Sequence, residues 1–304
     1  MMDVRTSAVA EPVGEMTAVL GEGPYWVPEN SCLLWVDIPN GLLHRTQIPS
    51  GATETMSVGA VSAAFPALGG GIITAGGNQL TLRFRQASGE WASQTVAEVP
   101  AKDGVRFNDA SVDPAGRVWV GSMHVDETEP LGELYRLDPG PVLTPVVRGV
   151  TVSNGLGWSP EGSRLYYADS PMRRIDVFDF DAATGEAFQR RAFADLSRAD
   201  GVPDGLTVDL DGCVWVAMWG GGVLRRFTPN GKQDAVLPVP VTRPTSCAFG
   251  GPDLADLFVT SASIGMTDAD RAAEPLAGRL LRLHPGPRGL PSTSAWASIP
   301  AAPF

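Results

Sequence analysis

The sequence is short of cysteine, of positive charge and of long apolar runs, and each shortage removes a class of protein. Cys32, Cys213 and Cys247 are far apart in 304 residues and form no C-x-x-C pair. Neither a disulfide framework nor a thiolate zinc site is expected, and a reducing compartment is. Lysine and arginine number 23 against 34 aspartates and glutamates, for a net charge of −11. With no clustered basic surface in view, nucleic acid and anionic membranes are excluded as partners. No segment approaches the ~18 uninterrupted apolar residues of a membrane span. The N-terminal MMDVRTSAVAEPVGEM carries Asp3, Glu11 and Glu15 where a signal peptide would have its apolar core. We therefore expect a cytoplasmic protein, a monomer or weak homo-oligomer. Nucleotide and hydrolase signatures are missing too: there is no P-loop, no G-x-G-x-x-G and no G-x-S-x-G, and His44, His124 and His284 form no H-E-x-x-H.

What is present in quantity is punctuation, 35 glycines and 26 prolines, which suits many tight turns and disfavours long helices. Those turns recur in a pattern. EGPYWVPENSCLLWVDIPNGLLHRTQI from Glu22, NDASVDPAGRVWVGSM from Asn108, NGLGWSPEGSRLYYADSPMRRIDVFDFD from Asn154, DGLTVDLDGCVWVAMWGGGVLRRF from Asp204 and SCAFGGPDLADLFVTSAS from Ser246 share one order of parts. Each reads as a short apolar strand, a turn of Pro, Asp and Gly, a second strand such as RVWV or DLFVT, and a third such as GELYRL. A weaker copy, AAFPALGGGIITAGGNQLTLRFRQ, fills residues 63–86. The spacing matches the ~40–50-residue period of four-stranded propeller blades. The prediction is one domain over residues 1–304, all-β, a six-bladed β-propeller. Ring closure is expected to pair residues near 12–20 with the C-terminal TSAWASI.

In such a ring Glu22, Asn108, Asn154, Asp204 and Ser246 occupy the same place, just before the innermost strand, and face a central channel. Polar groups gathered near the axis are costly unless they bind water, an ion or a ligand. Two carboxylates with amide carbonyls make an all-oxygen set suited to hard divalent cations such as Ca²⁺, Mg²⁺ or Mn²⁺. Taken singly, Asn-Gly and Asp-Gly are turn dipeptides; their shared phase favours a central metal site. VDLDG at 208–212 lacks the later Glu of an EF-hand, and its place is held by VDPAG and WSPEG in sister units, so it reads as a hairpin turn. His44 and His284 fall on third strands, away from the channel. His124 ends a strand where it could face the pocket, and Trp219, closing VWVAMW, could wall a ligand or pack between blades.

The stretches LGEGPYWVPENSCLLWVDI, RFNDASVDPAGRVWVGSM, SNGLGWSPEGSRLYYADS, PDGLTVDLDGCVWVAMWGGG, SCAFGGPDLADLFVTSA and PLAGRLLRL together resemble the SMP-30/gluconolactonase family of six-bladed propeller lactonases. The resemblance covers nearly the whole chain. It implies one divalent ion, Ca²⁺ first with Zn²⁺, Mn²⁺, Mg²⁺ or Fe²⁺ as alternatives, held by Glu22, Asn154 and Asp204. It also implies sugar contacts from Arg106 and Asn108. A carboxylate after GSMH would meet substrate hydroxyls, with Asp126 the nearest match and Glu127 or Glu129 as substitutes. Where many bacterial members have an Arg after TSA, this chain has Ser263. The implied reaction is metal-assisted hydrolysis of a sugar lactone to the aldonic acid, with Asp204 as base; His124 and Trp219 join the candidate substrate residues from their strand-end positions alone. The alternatives are organophosphate or other ester hydrolysis on the same metal, and a non-catalytic propeller that binds protein.

Overall fold

The computed structural model describes residue 4 and residues 8–295. The strands form six four-stranded antiparallel sheets. Five are built from consecutive strands, beginning at the inner strands Gly21–Val27, Ala63–Pro66, Val105–Val112, Ser153–Trp158 and Val202–Val208, which open blades 1 to 5. Blade 6 runs outward from Pro244–Gly250 through Asp256–Ser261 and Arg279–Leu283 to the N-terminal strand Glu11–Thr17. The six-bladed propeller expected from the repeat is therefore present. Among the described residues no helix is long and apolar enough to cross a membrane.

Closure departs from expectation in one respect. Pro12 pairs with Leu281, so the N-terminal strand docks on GRLLRL, where the expectation named TSAWASI. Leu280, Leu281 and Leu283 of RLLRL are buried, and the incoming strand pairs along its edge with a register shift between Pro12 and Thr17. Thr293 to Ala295 travel elsewhere, and residues 296–299 fall outside the described part. The C-terminal segment crosses the end of the ring. The Leu210 N–H donates to the Arg288 carbonyl (2.8 Å), Gly289 N–H to Leu254 (2.8 Å) and Ala295 N–H to Pro66 (2.8 Å). This strap ties blades 5, 6 and 2, and its Thr293 N–H reaches the Tyr25 hydroxyl of blade 1 at 3.1 Å.

The second strands CLLWVD, VWVGSMH, RLYYAD, VWVAMW and DLFVTS are buried along almost their whole length. β-Branched and aromatic side chains suit a strand covered on both faces, here by the neighbouring blades. Two of the hairpins entering these strands are pinned by carboxylates. Asp113 accepts the backbone N–H groups of Ala115 and Arg117 (2.9 Å each) and the Trp119 indole N–H (3.2 Å). Asp209 accepts from Cys213 N–H and from the Trp215 indole, both at 2.9 Å. The Arg226 guanidinium lies on Asp209 at 2.6 Å, with both side chains fully buried. VDLDG is thus a hairpin turn whose first aspartate anchors a blade.

Candidate metal centre

Five of the six inner strands break register against their second strand at the same level. The shifts fall between Glu22 and Tyr25, Phe107 and Ala110, Ser153 and Leu156, Pro203 and Leu206, and Pro244 and Ser246. In each, one extra residue on the inner strand makes a bulge that re-aims side chains next to it. Asn108, Asn154 and Asp204 each open a bulge, and Glu22 stands one register position earlier. Ser246 stands one later, level with Gly205, whose added Cβ would lie 2.1 Å from the Ser246 Oγ. The shared phase expected for all five therefore holds for three. Blade 2 has no bulge: Ala63 to Pro66 pair without interruption with Ala75 to Ile72, and the strand offers no polar side chain.

The bulged residues meet across blade boundaries. The Asn108 amide donates to Asn154 Oδ1 (2.7 Å) and to the Ser153 carbonyl (2.9 Å), while its own Oδ1 accepts from Arg106 at 2.9 Å. Asn154 is buried, and its amide N–H donates to Ser170 Oγ at 2.7 Å. Ser170 passes its own proton to the Pro203 carbonyl (2.7 Å). With its nitrogen tied down, Asn154 presents its oxygen to the Asn108 side, where a cation could share it.

Glu22, Asp109 and Asp204 converge on the axis. Asp204 is buried, and Glu22 and Asp109 are half-buried. Burial and then the Asp109 charge push Glu22 up to about 8. Burial, followed by Glu22, Asp109 and Glu127, holds Asp204 well above the usual carboxylate range. Burial alone takes Asp109 to about 6. Among the described residues neither Glu22 nor Asp204 has an ion-pair partner; Glu22 accepts from its neighbour Gly23 N–H at 3.2 Å.

Asp109 is the residue that the repeat did not single out, although it directly follows Asn108 in RFND. It also lines a chamber of about 280 Å³ together with Trp158, Leu206, Phe249 and the C-terminal strap from Leu290 to Thr293.

The outer candidates are arranged less tightly. Arg106, half-buried, has its guanidinium pushed down by burial, against the pull of Glu127 and then Glu22. His124 Nδ1 accepts the Asp126 backbone N–H at 3.2 Å and lies 3.6 Å from the Asp126 carboxylate, whose side chain is 74% exposed. Asp126 thus turns to His124, while the charge of Glu127 is felt at Arg106 and Asp204. Trp219, half-buried at the end of its strand, is covered by the Arg243 guanidinium at 5.6 Å. No hydrogen bond or ion pair among the described residues joins Asp126 or Trp219 to the central group. His44 is buried with Nδ1 on Thr55 (2.9 Å), and His284 pairs with Asp256 (2.8 Å). Both lie away from the channel.

Among the described residues no three His, Cys, Asp or Glu side chains form a complete metal cage. The residues expected to hold a cation, Glu22, Asn154 and Asp204, carry only oxygen donors, two carboxylates and an amide. Burial and neighbouring carboxylates raise Glu22 and Asp204, the Arg106 charge opposes the shift only at Glu22, and an all-oxygen set of this kind fits a hard divalent cation.

Comparison with known proteins follows the same lines. Residues 20–263 match the model of the SMP-30/gluconolactonase/LRE-like region. Regucalcin of Gallus gallus is 36% identical over 94% of this chain and 98% of its own length. The pentonolactonase of Haloferax volcanii is 35% identical over 90% and 93%. The crystal structure of a calcium-binding regucalcin from Agrobacterium tumefaciens superposes with a TM-score of 0.89 at 27% identity, covering 96% of this chain and 98% of that one. The chain belongs to the SMP-30/gluconolactonase/LRE-like family.

Proposed function

We propose that this protein hydrolyses a sugar lactone to the aldonic acid with the help of one divalent cation held by Glu22, Asn154 and Asp204. The observation that carries the reading is the convergence of two enclosed carboxylates and a fixed amide oxygen where no ion pair neutralises them. The likeness to a pentonolactonase and to a protein described as calcium-binding supports both halves, and Ca²⁺ is the ion proposed first. Bound there, a cation supplies Lewis-acid polarisation of the lactone carbonyl.

The remaining work belongs to side chains. Asp204 accepts a proton from the attacking water. The water oxygen bonds to the carbonyl carbon, the ring C–O bond breaks, and the ring oxygen leaves with a proton as the new hydroxyl. Arg106, held by its bonds to Asn108 and to the Phe107 carbonyl (2.9 Å each), keeps further N–H donors for sugar hydroxyls. Asn108 fixes the Asn154 oxygen and the Arg106 head together. His124, Asp126 and Trp219 form the outer wall, with Glu127 the loop carboxylate nearer in charge to the centre. The three buried, free cysteines suit a reducing, cytoplasmic setting.

A pH-indicator assay on glucono-, galactono-, xylono- and arabinonolactones, after chelation and after return of single cations, tests the proposal. Hydrolysis above background that disappears with chelator and returns with one ion is expected. A folded protein without activity on any lactone with any ion would overturn it.

A further inference from the structure

The gaps between blades are bridged in different ways. Between blades 3 and 4, Arg117 donates to the Ala182 (3.0 Å) and Ala183 (2.5 Å) carbonyls, and Arg136 to that of Gly185. Between blades 4 and 5, Arg164 donates to the Pro229 carbonyl at 3.0 Å. Between blades 1 and 2, Arg83 crosses to the Val58 carbonyl (2.6 Å), but two further arginines on the cleft turn back into their own blades. Arg45 lies 3.8 Å from Glu54 and donates to Cys32 Sγ at 3.4 Å. Arg85 donates to the Gly89 carbonyl (2.8 Å) and lies 5.1 Å from the Trp91 ring centroid. Between them remains a cavity of about 410 Å³.

We infer that this cleft is a binding site, distinct from the channel, for a small planar organic anion of the aromatic carboxylate class. Its volume is that of a small-molecule pocket. Its floor, from Leu34, Leu43 and Ile72, is apolar and takes a hydrocarbon body. Arg45 and Arg85 line the same space from opposite blades, and a single weak contact with Glu54 leaves the pair with a net positive charge that an anion between them offsets. Trp91 is 41% exposed and sits at the edge of the cavity, so its indole offers a ring surface for stacking. A bare sugar acid suits the cleft poorly because its hydroxyls would meet the apolar floor.

The test is titration of the intact chain with 2-naphthoate, followed by tryptophan fluorescence and calorimetry, with neutral 2-naphthamide as the comparison. We expect one-to-one saturable binding with Kd at or below about 1 mM, at least about tenfold weaker for the amide. Arg45→Gln and Arg85→Gln each weaken naphthoate by about fivefold or more, Trp91→Ala removes the fluorescence response, and lactone neither competes nor is hydrolysed more slowly at saturation. Equal affinity for acid and amide overturns the inference without recourse to variants. So does affinity unchanged in the Arg45→Gln/Arg85→Gln double variant, competition by lactone, or no saturation by about 10 mM.

Discussion

Asp204 and Asp209 belong to one blade, five positions apart, yet their carboxylates live in opposite circumstances. Asp209, fully buried in the hairpin, receives a backbone N–H, an indole N–H and the Arg226 guanidinium. Asp204, buried on the channel side, faces the charges of Glu22 and Asp109 and has no ion-pair partner among the described residues. The same contrast recurs in blade 3, where Asp113 is held by Arg117 at 3.0 Å and by the Trp119 indole, while Asp109 projects to the axis. Enclosing a carboxylate is costly in either place. The hairpins offset that cost with the chain's own donors and so become structural anchors. The channel leaves it to be offset from outside, which is the arrangement of a site.

Substitutions that treat the two regions alike ought to give unlike results. The largest effect is expected from Asp204→Ala, which should lower lactone hydrolysis by about 10²- to 10⁴-fold with the far-UV circular dichroism unchanged. Next comes Asp209→Ala, which leaves the Cys213 N–H and the Trp215 indole without their acceptor and Arg226 with Asp234 (2.8 Å) as its remaining close partner, and should cost about 2–4 kcal/mol of stability, read from urea unfolding, while activity per folded molecule stays near wild type. If Asp209→Ala removed activity and spared stability, the division between the regions would collapse.

Smaller changes sharpen the boundary of the site. Asp109→Asn takes a negative charge from the channel, and calorimetric titration should show Ca²⁺ binding weakened by about tenfold. Ser170→Ala frees the Asn154 amide to rotate, and a several-fold loss in the same titration is expected, at the lower end of what supporting residues of metal ligands contribute.

Much of this was legible in the chain because a propeller repeats its physics. Asp, Gly and Pro mark each hairpin, and dense runs such as VWV and LYYA can only be second strands covered on both sides, so blade number and boundaries follow from spacing. Blade 2 reads faintly for a structural reason: AAFP has neither a bulge nor a polar side chain, and so lacks the marker that identifies its sisters. Asp109 stayed hidden because strict strand alternation sends neighbours to opposite faces, and it is the bulge that lets Asn108 and Asp109 both serve the channel. The same bulges explain why Glu22 and Ser246 differ in phase from Asn154 and Asp204, a one-residue offset that no alignment by turn dipeptides reveals. Closure through GRLLRL was illegible because two C-terminal segments could each have met the N-terminal strand, and choosing between them depends on where the strap packs.

The central claim is that the channel carboxylates oppose one another until a cation joins them. Thermal unfolding of wild type and Asp204→Asn, each in chelator and in Ca²⁺, tests it most directly. The account predicts that Asp204→Asn melts higher than wild type in chelator at neutral pH, because the amide is spared the cost of a carboxyl that burial and its acidic neighbours hold well above its usual range, and that Ca²⁺ raises the wild-type midpoint by several degrees but leaves the variant unmoved. A variant that melts lower than wild type in chelator and responds to Ca²⁺ as strongly as wild type would contradict it.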